Sequence, residues 1–274
     1  MKSIGLALGA SLTWGFADFF GPLKGRTLGA LRVLFYVQVG GLAAIALIVA
    51  VRGKGPADSA ALFAVPAAIS GTLGLYAYYR GMAVGAMSIV APIAGISAVV
   101  PVAFGIATGD RPSTWQWLGI LAALAGVFLA SREPGHGGKV AAGVGLALLA
   151  ALGFGGYFPP MHAAGQADFW WASLIFRMTS TAVILAAVAI RRPSLAVQPL
   201  QVPLLALIGI GDMLGNLLFA AASTSGLVSI TSVLASLYPI VTVILAAAVL
   251  REQVAPLQKA GIVLTLTGVV LIAF

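Results

Sequence analysis

Apolar runs of 18 to 25 residues, separated by short polar breaks, follow one another along the whole chain. They predict ten helices, at about 4–22, 28–51, 62–82, 84–108, 114–131, 140–161, 169–190, 203–221, 227–249 and 256–274. Each is long enough to cross a hydrocarbon layer of roughly 30 Å. Rich in Ala, Leu and Gly, the runs lack the short alternating segments of an outer-membrane barrel, so the expected class is an all-α, polytopic membrane protein. The longer polar connections are Arg52 to Ala60, Arg191 to Val202 and the glycine-containing, charged joint Arg132 to Lys139. The opening Ile4 to Gly21 run reads as a first span rather than a cleaved signal.

The pattern occurs twice. Leu12-Thr13-Trp14-Gly15-Phe16 returns as Leu152-Gly153-Phe154-Gly155-Gly156. The break Gly109-Asp110-Arg111-Pro112 returns as Arg251-Glu252-Gln253-Val254, again followed by an apolar run. The expected units are 1–133 and 134–274, each with five spans. An odd number of spans makes the second unit enter the membrane from the opposite side, which gives two inverted five-helix repeats and suits alternating access.

Composition agrees with a membrane solvent. Of 274 residues, 61% are hydrophobic and 8% charged, too few polar side chains to cover a water-soluble surface. Mean hydropathy is +1.07. The formal charge of +8 comes from scattered Lys and Arg beside the spans, which points to lipid headgroups rather than nucleic acid. With no cysteine, disulfides, thiolate metal sites and cysteine nucleophiles are excluded. His136 and His162 stand apart, so neither a metal site nor a cofactor is expected. Lys and Arg outside the spans number four on the side of the amino terminus and seven on the other, which favours an external amino terminus.

Scarce polar and aromatic residues inside the runs are the candidates for chemistry. Asp212 falls mid-span one turn before Asn216, where it either meets solute or proton or pairs with Arg80 or Arg177. Asp18, one turn after Trp14, either guards a cavity mouth or pairs with Lys24 or Arg26. Tyr76 and Tyr79 share a helix face, and with Trp14, Ser97, Tyr157 and Tyr238 they form the candidate solute-contacting set. The bland alternative for each tyrosine is a place in the interfacial aromatic belt, where Trp115, Trp117, Trp170 and Trp171 are expected. Pro92, Pro101 and Pro239 interrupt helical hydrogen bonding and are read either as hinges or as fixed kinks. A break is also expected at Pro159-Pro160. Glycines four apart, as in Gly21-x3-Gly25-x3-Gly29, Gly81-x3-Gly85 and Gly211-x3-Gly215, predict close helix packing within one bundle, or a dimer face.

These positions resemble the drug/metabolite transporter superfamily, specifically its ten-helix EamA-type members. The resemblance covers nearly the whole chain. It rests on Leu12-Thr13-Trp14-Gly15, on Arg32 and Arg177 in corresponding spans, and on Tyr79-Arg80-Gly81-Met82-Ala83. Leu234-Ala235-Ser236-Leu237-Tyr238-Pro239 and Leu250-Arg251-Glu252-Gln253 complete it. The first half departs from the pattern, with Ser97-Ala98 where a proline is expected and Asp110 in place of Glu. The resemblance implies secondary transport of small organic metabolites, such as amino acids or aromatic compounds, often outward, through a cavity lined by helices 1, 3, 4, 6, 8 and 9. It also implies termini in the cytoplasm, against the charge count. The expected setting is a prokaryotic inner membrane, with one chain acting alone among its lipids. A lipid-translocating or structural protein on the same scaffold is the competing reading, and an enzyme is not expected.

Overall fold

Backbone N–H and C=O groups have no water to bond in hydrocarbon, so each apolar run satisfies its own by coiling. The computed structural model describes residues 2–84, 94, 96–130, 140–249, 251 and 255–273. Pro92, Gly85, His136, Glu252 and the 132–139 joint lie outside the described residues. Among the described residues every regular element is helical. They are α1 (Lys2–Leu28), α2 (Ala30–Arg52), α3 (Ala64–Val84) preceded by a 3-10 turn at Ser59–Phe63, α4 (Val99–Ala107) preceded by a 3-10 turn at Ile96–Ala98, and α5 (Thr114–Ala130). A helical stretch Val140–Arg191 is bent at Asp168 into α6 (140–167) and α7 (169–191). There follow α8 (Gln201–Ser223), α9 (Val228–Ala235), α10 (Tyr238–Val249) and α11 (Pro256–Ala273).

Among the described residues six stretches are long and apolar enough to cross a membrane, among them Gly143–Arg191 with its bend and Val228–Val249, which joins α9 and α10. Thr114–Ala130 and Pro256–Ile272 are shorter apolar helices. Large apolar side chains face outward: Leu47 and Leu152 are each 66% exposed. Arg177, Gln38 and Asn216 lie inside. That inversion of the aqueous pattern belongs to a protein solvated by lipid. The chain is an all-α, multi-pass membrane protein.

Local chemistry sets several breaks. Pro239 has no N–H to give the carbonyl of Ala235, and its ring crowds that carbonyl; α9 ends there and α10 restarts at Tyr238. Ser113 and Gln116 cap α5 reciprocally, Ser113 N donating to Gln116 Oε1 (2.9 Å) and Gln116 N to Ser113 Oγ (3.2 Å). Two expectations are corrected. The first helix does not stop near residue 22 but runs through Pro22 to Leu28. The sixth does not break at Pro159-Pro160 but continues to 167, because Asp168 supplies a stronger signal. Asp168 leaves helical geometry (φ −163°, ψ 105°), and its Oδ1 accepts from Trp170 N and Trp171 N, capping α7.

Lipid gives helices little hydrophobic reason to associate, so close backbone approach carries the packing. α3 lies along the α6–α7 stretch, α1 and α2 lie on α8, and α5 lies on α11. At the α2–α8 crossing, a methyl on Gly41 would sit 2.7 Å from Gly209 O and 3.1 Å from Arg177 Cζ. A methyl on Gly209 would collide with Val37 O and Gly41 N. Any side chain here must push the two backbones apart. Gly209→Val is therefore expected to destabilise the protein by about 1–3 kcal/mol or more, whereas Gly5→Val, which faces open space, is expected to be neutral. Thermal unfolding of the detergent-extracted variants, followed by size-exclusion chromatography, measures both.

Candidate functional site

A half-open cavity lies inside the bundle, with about 570 Å³ of space between atoms when its open mouth is included. Its wall comes from α1 (Trp14, Asp18), α2 (Gln38), α3 (Gly71, Thr72, Leu75), α6 (Phe154, Tyr157, Phe158), α7 (Phe176), α8 (Asp212, Asn216) and the start of α10 (Tyr238). Helical spacing explains the pairs: Trp14 with Asp18 and Asp212 with Asn216 are four apart, hence on one face. Tyr238 reaches the cavity because α9 stops before Pro239, which puts the next helix's first residue at the wall.

Trp14 sits at the centre of the aromatic wall. Its ring meets Tyr157 edge-on at 5.8 Å, Phe158 at 6.1 Å and Tyr238 at 6.5 Å, and lies tilted on Phe219 at 6.2 Å. Such edge contacts hold ring orientations and each contribute about 0.5–1.5 kcal/mol.

Behind one wall lies a polar network. Arg177 is 0% exposed and Asp212 16%, and Arg177 Nη2 donates to Asp212 Oδ2 at 2.6 Å. Arg177 Nη1 donates to Gln38 Oε1 at 2.6 Å, which also accepts from Ser180 Oγ at 2.9 Å. A guanidinium only donates, which fixes the amide orientation of Gln38. Asn216 Nδ2 donates to the Asp212 carbonyl at 2.9 Å. Among the described residues Arg177–Asp212 is the single ion pair.

The remaining polar groups are uncommitted. Asp18 lines the cavity and has neither an ion pair nor a hydrogen bond among the described residues. The hydroxyls of Thr72 and Tyr157 are buried without a hydrogen-bond partner among the described residues, and that of Tyr238 lies beside the Ser97 hydroxyl. Buried hydroxyls are ordinarily bonded, so the unpartnered ones on this wall are free to meet a solute.

Of the residues singled out from sequence, Trp14, Asp18, Tyr157, Asp212, Asn216 and Tyr238 line this cavity. Tyr76 does not; it packs against an apolar cluster drawn from α1, α2, α3, α6, α7 and α8. Tyr79 is buried where Gly21 and Gly25 of α1 leave room for its ring. Ser97 is buried behind Tyr238, and its hydroxyl has no partner of good geometry. Arg80 is exposed on α3 and does not reach Asp212. Arg32 does not occupy a site like that of Arg177; it is partly exposed and donates to Ser194 O. Pro101 lies in the first turn of α4 and Pro239 in that of α10. Neither Lys24 nor Arg26 pairs with Asp18. Gln38, Thr72, Phe154 and Phe176 also belong to the wall, although the sequence does not single them out as solute contacts. Gln38 carried a signal, an amide near the middle of the second run; the others look like ordinary span residues. Among the described residues no three His, Asp or Glu converge as metal ligands would.

Removing one partner of a buried ion pair leaves a bare charge, at a cost of about 3–5 kcal/mol. Arg177→Met and Asp212→Leu are each expected to lower the unfolding temperature sharply, and the double variant by less than the sum of the two. Unfolding of the four proteins in detergent, treated as a double-mutant cycle, tests the coupling.

A profile of the EamA-like transporter family matches residues 1–132 and 141–274. A solved structure described only as "Crystal structure of protein" shares the fold, with a TM-score of 0.79 over 100% of this chain and 99% of that one, at 17% identity. No curated protein matches the sequence. With the profile covering nearly every residue of both halves, the chain belongs to the EamA-like transporter family, a family of membrane transporters and not of enzymes.

Proposed function

We propose that the protein is a secondary transporter that exports small organic metabolites across a prokaryotic inner membrane, one chain alternating the exposure of its cavity. The observation that carries this reading is the cavity itself, whose wall is drawn from α1, α2 and α3 of the first half and α6, α7, α8 and α10 of the second. A solute there touches both halves, so a rocking of one against the other changes its exposure.

Ten spans in two inverted repeats complete the reading, and three internal correspondences support it. Gly15 packs on Tyr238 and Val241 of α10, and Gly155 packs on Ser97 and Val100 at α4. Gly119 meets Gly268 and Gly126 meets Gly261, so α5 and α11 cross antiparallel. Because Gly119 corresponds to Gly261 and Gly126 to Gly268, a two-fold axis in the membrane plane exchanges the two contacts. Left-handed backbone also recurs at matching turns, at Gly53 (φ 61°) and Arg192 (φ 46°), then at Gly109 (φ 116°) and Arg251 (φ 56°). The units are 1–133 and 134–274. A wall of rings and hydroxyls, rather than a purely aliphatic one, favours an organic solute over a lipid chain.

Purified protein in liposomes is expected to release at least one labelled amino acid, amine or aromatic metabolite faster than empty liposomes do. If nothing in a broad organic panel moves, the transport reading fails; movement of a labelled phospholipid alone would favour the lipid-translocating alternative. For a solute that does move, Tyr157→Phe and Tyr238→Phe are expected to weaken binding roughly 2- to 10-fold, the worth of one hydrogen bond. Both variants should leave the amount of folded protein unchanged.

A further inference from the structure

We infer that the cavity is selective for an organic cation, a protonated amine on a one- or two-ring apolar body, with Asp18 as its counter-charge. This deepens the transport reading and rests on it. Two acidic side chains stand at the wall. Asp212 is neutralised by Arg177 at 2.6 Å. Asp18 has no ion pair among the described residues, although Lys24 and Arg26 follow it on the same helix. The cavity therefore presents one carboxyl group without a counter-charge among the described residues, and inside a membrane such a group takes up a proton or meets a visiting cation.

The surroundings decide the kind of cation. Trp14 lies one helical turn from Asp18, and Tyr238 lines the same cavity. Rings around a carboxylate stabilise an ammonium twice, through the negative charge and through their π faces. A bare metal ion needs several oxygen ligands, whereas most of this wall is aromatic or aliphatic. An organic anion would meet the Asp18 carboxyl group and no free base. A zwitterion gains at Asp18 but has no free base for its carboxylate, because Arg177 is fully buried and already holds Asp212 and Gln38. The unpartnered hydroxyls of Thr72 and Tyr157 then remain for a neutral polar group on the ring body.

Four probes of one shape separate the cases: 2-phenylethylamine (cation), phenylalanine (zwitterion), 3-phenylpropionate (anion) and 2-phenylethanol (neutral). Binding to the purified full chain is measured by calorimetry and by competition at neutral pH. The amine is expected to bind at least 10-fold tighter than the other three. Asp18→Asn is expected to remove that preference while leaving the alcohol's affinity unchanged, and Asp18→Glu to restore part of it. Retained alcohol binding shows that the variant is folded. Equal binding of zwitterion or anion, a preference that survives Asp18→Asn, or no binding of the amine would each overturn the inference. The transport panel keeps the two readings apart. Movement of neutral or anionic solutes without amines sinks this inference alone, whereas no movement at all sinks the transport reading.

Discussion

One charge inside a lipid-solvated bundle constrains much of the rest. Arg177 cannot be left bare in hydrocarbon, where a lone guanidinium is expensive. Its two Nη atoms are held by Asp212 of α8 and Gln38 of α2, so three helices are fixed in mutual position by two hydrogen bonds of 2.6 Å. The arrangement also forces Gly41 and Gly209 at the same crossing, since a side chain at either would collide with backbone or with the guanidinium. Small residues and the buried charge are thus one device. The glycines bring the backbones close enough for the network to close, and the network gives that closeness a direction.

The same pair shapes the chemistry of the cavity beside it. Because Asp212 is already answered, its presence at the wall does not make the site doubly acidic. Asp18, one helix away, has no ion pair among the described residues, and the aromatic cluster around Trp14 shares its cavity. A carboxylate in such a place interacts far more strongly than one in water. The polar groups left without partners are therefore the informative ones, and those that make good bonds are scaffold.

Much was legible before any coordinates. Span positions follow from apolar runs, since lipid admits few alternatives to the helix, and most observed ends fall within two residues of those expected. The exceptions have local causes. Pro22 and Pro159-Pro160 look like stops, yet a membrane helix tolerates a proline where neighbouring groups donate to the freed carbonyl, whereas Asp168 breaks and caps in one step. Rarity also pointed well: Asp212, Asn216, Asp18 and Trp14 all stand at the cavity. Tyr76 and Tyr79 did not follow, because a tyrosine fits a cavity wall, a belt or a glycine notch equally well, and sequence carries no sign of which neighbour will face it.

The sequence by itself determined solvent, secondary structure and family. Each of these depends on the run of side chains along one segment, or on recurrence of a segment at a fixed distance. Only the tertiary structure decided that Arg177, and not Arg80, answers Asp212, and that Asp18 has no ion pair among the described residues. Partnership between helices depends on their rotation and depth relative to one another. Those are set by where glycine permits contact, through many weak packing terms acting at once, and no single segment encodes them.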